Sequence, residues 1–250
     1  NDGLSYFLAA LLFLQSYSYI MSPTRKREII LGIILGLGLL TKGTFLAFTI
    51  PLLALVVFVN LRGKIGTREV LSRAAIFLLI FLCIGSYKYV ENSAYLGNPF
   101  YTNLELTNGQ YGNNKTNAGI SSFYDIDVAK LVESPLVSEK TLHSYPLMLY
   151  ATFWYQYIPE VNAKVDISRL NLLGSATYAL ALVPTAIMLL GLASVIGMGT
   201  KLARREKLPP EQSKHALFAA FAAAMLAANL AIVCYLGIKH DDWTMFQSRL

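Results

Sequence analysis

Six apolar blocks separated by polar joints constrain this chain more than any other feature. They run Leu4–Ile20, Ile29–Leu40, Phe45–Val59, Ala74–Tyr89, Leu172–Met198 and Ala216–Ile238. A backbone in hydrocarbon must satisfy its own hydrogen bonds, so such segments are expected to be helices. The first, fourth, fifth and sixth reach or approach the length that crosses about 30 Å of hydrocarbon at about 1.5 Å per residue. The second and third are shorter and meet at Thr41–Thr44, which predicts a helical hairpin. Composition agrees: 55% of residues are hydrophobic and only 14% charged, against about 45–50% and about 25% in soluble domains. The expected class is therefore all-α, a polytopic transmembrane bundle. Residues 1–89 would supply four helices and 90–171 a long extracytoplasmic loop with short surface helices. Residues 172–250 would supply two more helices and the start of another outer loop. The chain opens on Asn1 and stops soon after an apolar block, so it reads as a piece of a longer protein.

Charge gives the orientation. Arg25–Arg27, Arg62–Arg73 and Lys201–Lys214 hold more than half of the 21 basic residues. With them go only Glu28, Glu69, Glu206 and Glu211 of the 15 acids. Short loops rich in Lys and Arg stay cytoplasmic, and alternation of the six blocks puts all three on one side. The net charge of +6 then reports topology. Basic residues are not interleaved with aromatics as in a nucleic-acid module, so membrane lipids are the expected partners and nucleic acid is not. Cys83 and Cys234 lie in separate apolar blocks without metal-ligand or CxxC spacing, and are expected to be buried and inert.

The outer side would receive Asn1–Gly3, the Thr41–Gly43 turn, the segment from Val90 to Asn171 and the tail from Lys239. Loops beyond about 12–15 residues are usually functional or disordered. In this one, Val128–Val137 and Lys140–Tyr157 read as short surface helices, and Asn108–Asn117 as a polar Gly/Asn-rich stretch. Tyr150, Phe153, Trp154, Tyr155 and Tyr157 suit either an interfacial aromatic belt or a sugar or lipid platform. Asn114–Thr116 fits the N-glycosylation pattern. Asp125, Asp127, His240, Asp241 and Asp242 are candidates for gathering a divalent cation, though carboxylates in loops are usually just solvated.

Lys42 stands against the charge bias. About 22 Å of helix separates it from Arg27, less than the hydrocarbon thickness. It sits at or below the outer interface, either snorkelling to headgroups or held against a fixed anion. Gly36, Gly38 and Gly43 leave the backbone bare nearby, and a helix starting after Gly43 would aim its positive end at the same place. Gly32 and Gly36 also form GxxxG, a packing signal.

The stretch "GIILGLGLLTKGT" resembles the Gly-rich helix ending in Leu-Thr-Lys-Gly of the polytopic GT-C glycosyltransferases. Among these are the protein O-mannosyltransferases and the lipid A aminoarabinose transferases. Asn1-Asp2, "YLGNPFY" and "FQSRL" look similar to further segments of that family. The resemblance implies an outer-face active site in a bacterial inner membrane and a polyprenyl-phosphate-linked sugar donor. It implies that Lys42 binds the carrier phosphate, and Arg249 is the next candidate because it lies just outside the last span on the same face. The family takes its catalytic carboxylate from a loop that would precede Asn1, which leaves Asp2 as a weak substitute. Trp154 joins the substrate-binding candidates. The other classes considered are a transporter or flippase of envelope glycolipids and a non-catalytic membrane scaffold. Neither sugar, acceptor nor oligomeric state is encoded legibly.

Overall fold

The computed structural model describes residues 2–99, 120–129, 144–154, 167–203 and 209–240. Among them every regular element is helical. In chain order these are α1 (Asp2–Met21), α2 (Arg25–Thr41), a 3₁₀ turn (Gly43–Phe48), α3 (Thr49–Arg62), α4 (Thr67–Gly85) and α5 (Tyr87–Leu96). After a second 3₁₀ turn (Ile120–Phe123) come α6 (Tyr145–Trp154), α7 (Ile167–Ala203) and α8 (Pro210–His240). The chain forms two compact units, Asn1–Thr102 with Leu192–Leu230, and Asn103–Gly191 with Ala231–Leu250.

Among the described residues four segments are long and apolar enough to cross a membrane: Gly3–Met21, Gly43–Arg62, Leu172–Thr200 and Pro210–Ile232. A fifth arises if α4 and α5 count as one span bent by 53°. Against six expected spans, four or five among the described residues qualify by length and composition. At 17 residues, α2 covers only about 25 Å. The fourth block is not straight either, because the helix breaks at Ser86 between α4 and α5. Gly85-Ser86 is the kind of small-residue pair at which helices kink. Alternation of strictly buried and exposed positions replaces simple hydropathy inside the unit. On α1 the buried stripe is Ser5, Leu8, Leu12, Ser16 and Tyr19, and on α4 it is Val70, Ala74, Phe77, Phe81 and Gly85. Both follow the three-and-four spacing of one helix face.

The centre of the first unit is α2. Its buried face carries Glu28, Leu31, Gly32, Ile34, Leu35, Gly36, Gly38 and Leu39, while Ile33, Leu37 and Leu40 face outward. Thr24 caps its start, the hydroxyl accepting from Arg27 N at 3.4 Å. Packing against α4 sets the bare backbone of each helix against side chains and carbonyls of the other. A β-carbon on Gly32 would stand 3.1 Å from the Phe77 carbonyl oxygen, and one on Gly36 2.8 Å from Ile84 Cβ. Across the same seam, a β-carbon on Gly85 would stand 2.8 Å from Leu39 Cδ2 and 3.4 Å from the Gly36 carbonyl oxygen. The GxxxG pair is a contact surface, as its spacing suggested.

In the second unit, Tyr178 packs with Leu147 and Ala151 of α6. The Tyr150 hydroxyl donates to the Tyr178 carbonyl at 2.6 Å. Along α7 the large apolar side chains from Leu172 to Ile196 are mostly exposed, as on a helix solvated by lipid. The thiols depart from expectation in the same way: Cys83 is exposed and Cys234 only half-buried, both unbridged. An apolar block has an outward face, and these cysteines lie on or near it.

Candidate functional site

The ends of the first unit carry different chemistry. At one end, the last turn of α1, the first of α2, the last of α3 and the start of α4 meet in a buried polar cluster. Glu28, 2% exposed, accepts through Oε1 from the Tyr19 hydroxyl at 2.7 Å and from Asn60 Nδ2 at 2.8 Å. Asn60 Nδ2 also reaches Tyr19 Oη at 3.1 Å and the Val56 carbonyl at 2.9 Å. A guanidinium nitrogen of Arg73 lies 3.4 Å from Glu28 Oε1 and donates to Asn60 Oδ1 at 3.2 Å. Its Nε pairs with Glu69 at 3.0 Å. Among the described residues Glu28 Oε2 and Gln15 Nε2 are buried without a hydrogen-bond partner. A charge this deep persists where it is paired and hydrogen-bonded, and the cluster ties four helices at one level.

The same end gathers described parts of all three basic stretches. Arg27 donates to the carbonyls of Ser18 and Ser22, each at 2.5 Å. Lys214 Nζ donates to the Met21 carbonyl at 2.8 Å, and Arg62 to Ser213 Oγ at 2.6 Å. Cations on the last carbonyls of α1 suit both the unsatisfied acceptors and the negative end of the helix dipole.

Lys42 occupies the opposite end, where α2 stops. It is half-buried and extended, with φ −153° and ψ 128°. Its N–H donates to the Gly38 carbonyl at 2.9 Å, and its own carbonyl accepts from Phe45 N at 3.1 Å. With both backbone groups engaged, anything Lys42 offers a ligand comes through its ammonium. Polar groups surround the turn. Ser5 Oγ donates to Thr41 Oγ1 at 3.3 Å, and Thr41 Oγ1 to the Gly38 carbonyl at 2.7 Å. The Tyr89 hydroxyl lies 3.5 Å from where a β-carbon on Gly43 would be.

One expectation about this turn is corrected. The bare backbone at Gly36 and Gly38 is filled by protein: Ile84 and the Phe81 carbonyl cover Gly36, and the Phe45 ring occupies the space a β-carbon on Gly38 would need. Phe45, itself buried and edge-on to Phe48 at 5.4 Å, folds the turn back onto α2. Lys42 is the N-cap of the 3₁₀ helix Gly43–Phe48, which leads into α3 at Thr49.

Of the other candidates, Asp2 is the first residue of α1. Trp154 ends α6 in the second unit, half-buried against the cluster of Leu147, Ala151 and Tyr178 and edge-on to Phe153 at 4.8 Å. That side chain contributes to packing, while Phe153 is exposed. Burial and the neighbouring Cys234 thiol push the Tyr145 hydroxyl above the ordinary tyrosine range. Asp127 caps Ala129 N at 3.1 Å, and the Asp125 carbonyl accepts from Ser144 Oγ. Among the described residues no His, Cys, Asp and Glu side chains form a metal-holding group. Arg249, Asp241, Asp242, Tyr155, Tyr157 and the Asn108–Asn117 stretch with Asn114–Thr116 fall outside the described residues, as does Val128–Val137 beyond its first two positions.

The Tyr19–Glu28–Asn60–Arg73 cluster has only a faint sequence signal. Glu28 is the acid that closes a basic run, and Asn60 is a polar residue ending an apolar one. Comparison with known protein families, curated proteins and solved structures finds no match to this chain.

Proposed function

We propose that the protein is an integral membrane glycosyltransferase, multi-pass in a bacterial inner membrane. It would move a sugar from a polyprenyl-phosphate carrier to an envelope acceptor on the outer face. The observation that carries the reading is the place of Lys42. It is a half-buried cation at the end of the helical unit opposite the basic stretches, beside the hydroxyl-bearing residues Ser5, Thr41 and Tyr89. The likeness of "GIILGLGLLTKGT" to the GT-C family supports the same assignment.

In this reaction the bond between the sugar's anomeric carbon and the carrier phosphate breaks, and a bond to the acceptor oxygen or nitrogen forms. Negative charge collects on the departing phosphate. A cation fixed in a low-dielectric site stabilises that charge more than water would. Lys42 takes this role, and Arg249 is the further cation that the family resemblance offers. The acceptor's proton must pass to a base, for which Asp2 is the candidate in this chain. Trp154 offers a sugar-stacking face only so far as its packing on α6 leaves one.

The test is Lys42→Ala in membranes supplied with a radiolabelled polyprenyl-phosphate sugar. Transfer should fall to background while the amount of membrane-inserted protein stays unchanged, and Lys42→Arg should restore part of it. Transfer at the unsubstituted rate in Lys42→Ala removes this residue from the mechanism.

The 53° break between α4 and α5 favours a second reading, a flippase, since broken helices mark substrate paths in transporters. Movement of an intact lipid-linked sugar between leaflets, with no group transfer, would select it.

A further inference from the structure

We propose that the basic end of the first unit is a docking surface for anionic phospholipid headgroups, formed by Arg25, Lys26, Lys64 and Arg68. The basic residues at this end divide into two sets. Arg27, Arg62, Arg73 and Lys214 are engaged by protein groups: helix carbonyls, Ser213, Glu28, Asn60 and Glu69. Arg25, Lys26, Lys64 and Arg68 are exposed. Among the described residues none of these four side chains forms an ion pair or hydrogen bond.

The two sets occupy the same end. Arg25 and Lys26 open α2, while Lys64 and Arg68 flank the turn from α3 to α4. These turns are joined beneath the surface by Glu28, Asn60 and Arg73. Of the exposed acids at this end, Glu69 has its carboxylate held by Arg73 and Glu211 lies in the first turn of α8. Four positive charges therefore outnumber the exposed acids described at this end.

What lies beside the patch selects the partner. Leu61 and Leu71, next to it on α3 and α4, are 52% and 65% exposed. Cations at the rim of an apolar helix surface match a lipid, whose phosphate lies directly above its hydrocarbon. A nucleic acid offers the phosphate without the apolar neighbour. Attraction of an anionic surface for basic residues amounts to about fivefold in binding for each cation near it.

The experiment uses purified protein in micelles doped with phosphatidylglycerol or phosphatidylcholine, with bound lipid counted by native mass spectrometry. Phosphatidylglycerol should be retained in preference. The combined Arg25→Gln, Lys26→Gln, Lys64→Gln and Arg68→Gln variant should lose about a hundredfold or more of that preference, and Arg25→Lys with Arg68→Lys should keep most of it. Should the combined variant fail to fold, each single Gln variant is expected to show about a fivefold loss. Equal retention of phosphatidylcholine overturns the proposal, as does unchanged preference in the Gln variants. Complete displacement of phosphatidylglycerol by inorganic phosphate, or by a single-stranded oligonucleotide, also overturns it and points to a soluble anion. Sugar transfer is not measured, so this result stands apart from the proposed activity.

Discussion

Glu28 gives the sharpest test of how the helices of the first unit are held. Its Oε1 accepts the Tyr19 hydroxyl and Asn60 Nδ2, and faces Arg73. Replacement by Ala takes an acceptor from two buried donors. Each loss costs about 1–3 kcal/mol, but neither donor is left bare. Asn60 retains the Val56 carbonyl at 2.9 Å, and the two side chains still meet at 3.1 Å. Arg73 adds little, because its side chain is 19% exposed and keeps Glu69. Relief of the buried charge offsets part of the loss, while a cavity the size of the missing side chain adds to it. The expected net destabilisation for Glu28→Ala is about 3 kcal/mol. Glu28→Gln keeps an acceptor oxygen for Tyr19 and Asn60, but puts an amide where Oε2 is buried without a partner. It should cost about 1–2 kcal/mol. Equilibrium unfolding by SDS in mixed micelles, followed by circular dichroism, measures both. A loss below about 1 kcal/mol for Glu28→Ala, or Gln as damaging as Ala, would refute the reasoning, since the acceptor oxygen would then carry no weight.

Two further outcomes are expected. Gly36→Ala sets a methyl group 2.8 Å from Ile84 Cβ and 3.2 Å from the Phe81 carbonyl, which should cost about 1–3 kcal/mol of overpacking in the same unfolding assay. Lys64 has φ 57° at the end of α3, where Ile65 N meets the Asn60 carbonyl at 3.4 Å and Lys64 N the Leu61 carbonyl at 3.1 Å. That is a Schellman turn with lysine at its left-handed position, so Lys64→Gly should raise stability by about 1 kcal/mol. An unchanged unfolding midpoint would contradict it.

The helices were legible because periodic apolar stretches are long and their ends carry charge or turn residues. Leu4–Ile20 and Phe45–Val59 return as parts of α1 and of the Gly43–Arg62 span within a few residues. The break at Ser86 lies inside the block read as one span, although the Gly85-Ser86 pair and the polar residues that follow in "CIGSYKYV" are the signal that could have marked it. Exposure was misjudged at Cys83 because hydropathy reports affinity for an apolar medium, and that medium can be lipid as well as protein. Lys42 was placed at a helix end from chain length alone. Its surroundings depended on Phe45 folding back over Gly38 and on Tyr89 arriving from another helix, neither of which leaves a local pattern. The Glu28 cluster escaped for the same reason, because its four members are brought together only when separate helix ends meet.

The seam between α2 and α4 has a mechanical consequence. At Gly32, Gly36 and Gly85 the bare backbone of one helix meets the Ile80, Ile84 and Leu39 side chains and the Phe77 and Phe81 carbonyls of the other at close range, so sliding or rolling would drive these groups into main chain. The two helices must travel together as one stiff beam. Any opening needed to admit a bulky lipid near Lys42 then falls to the joint at Ser86, where α5 would swing while its stem stays fixed.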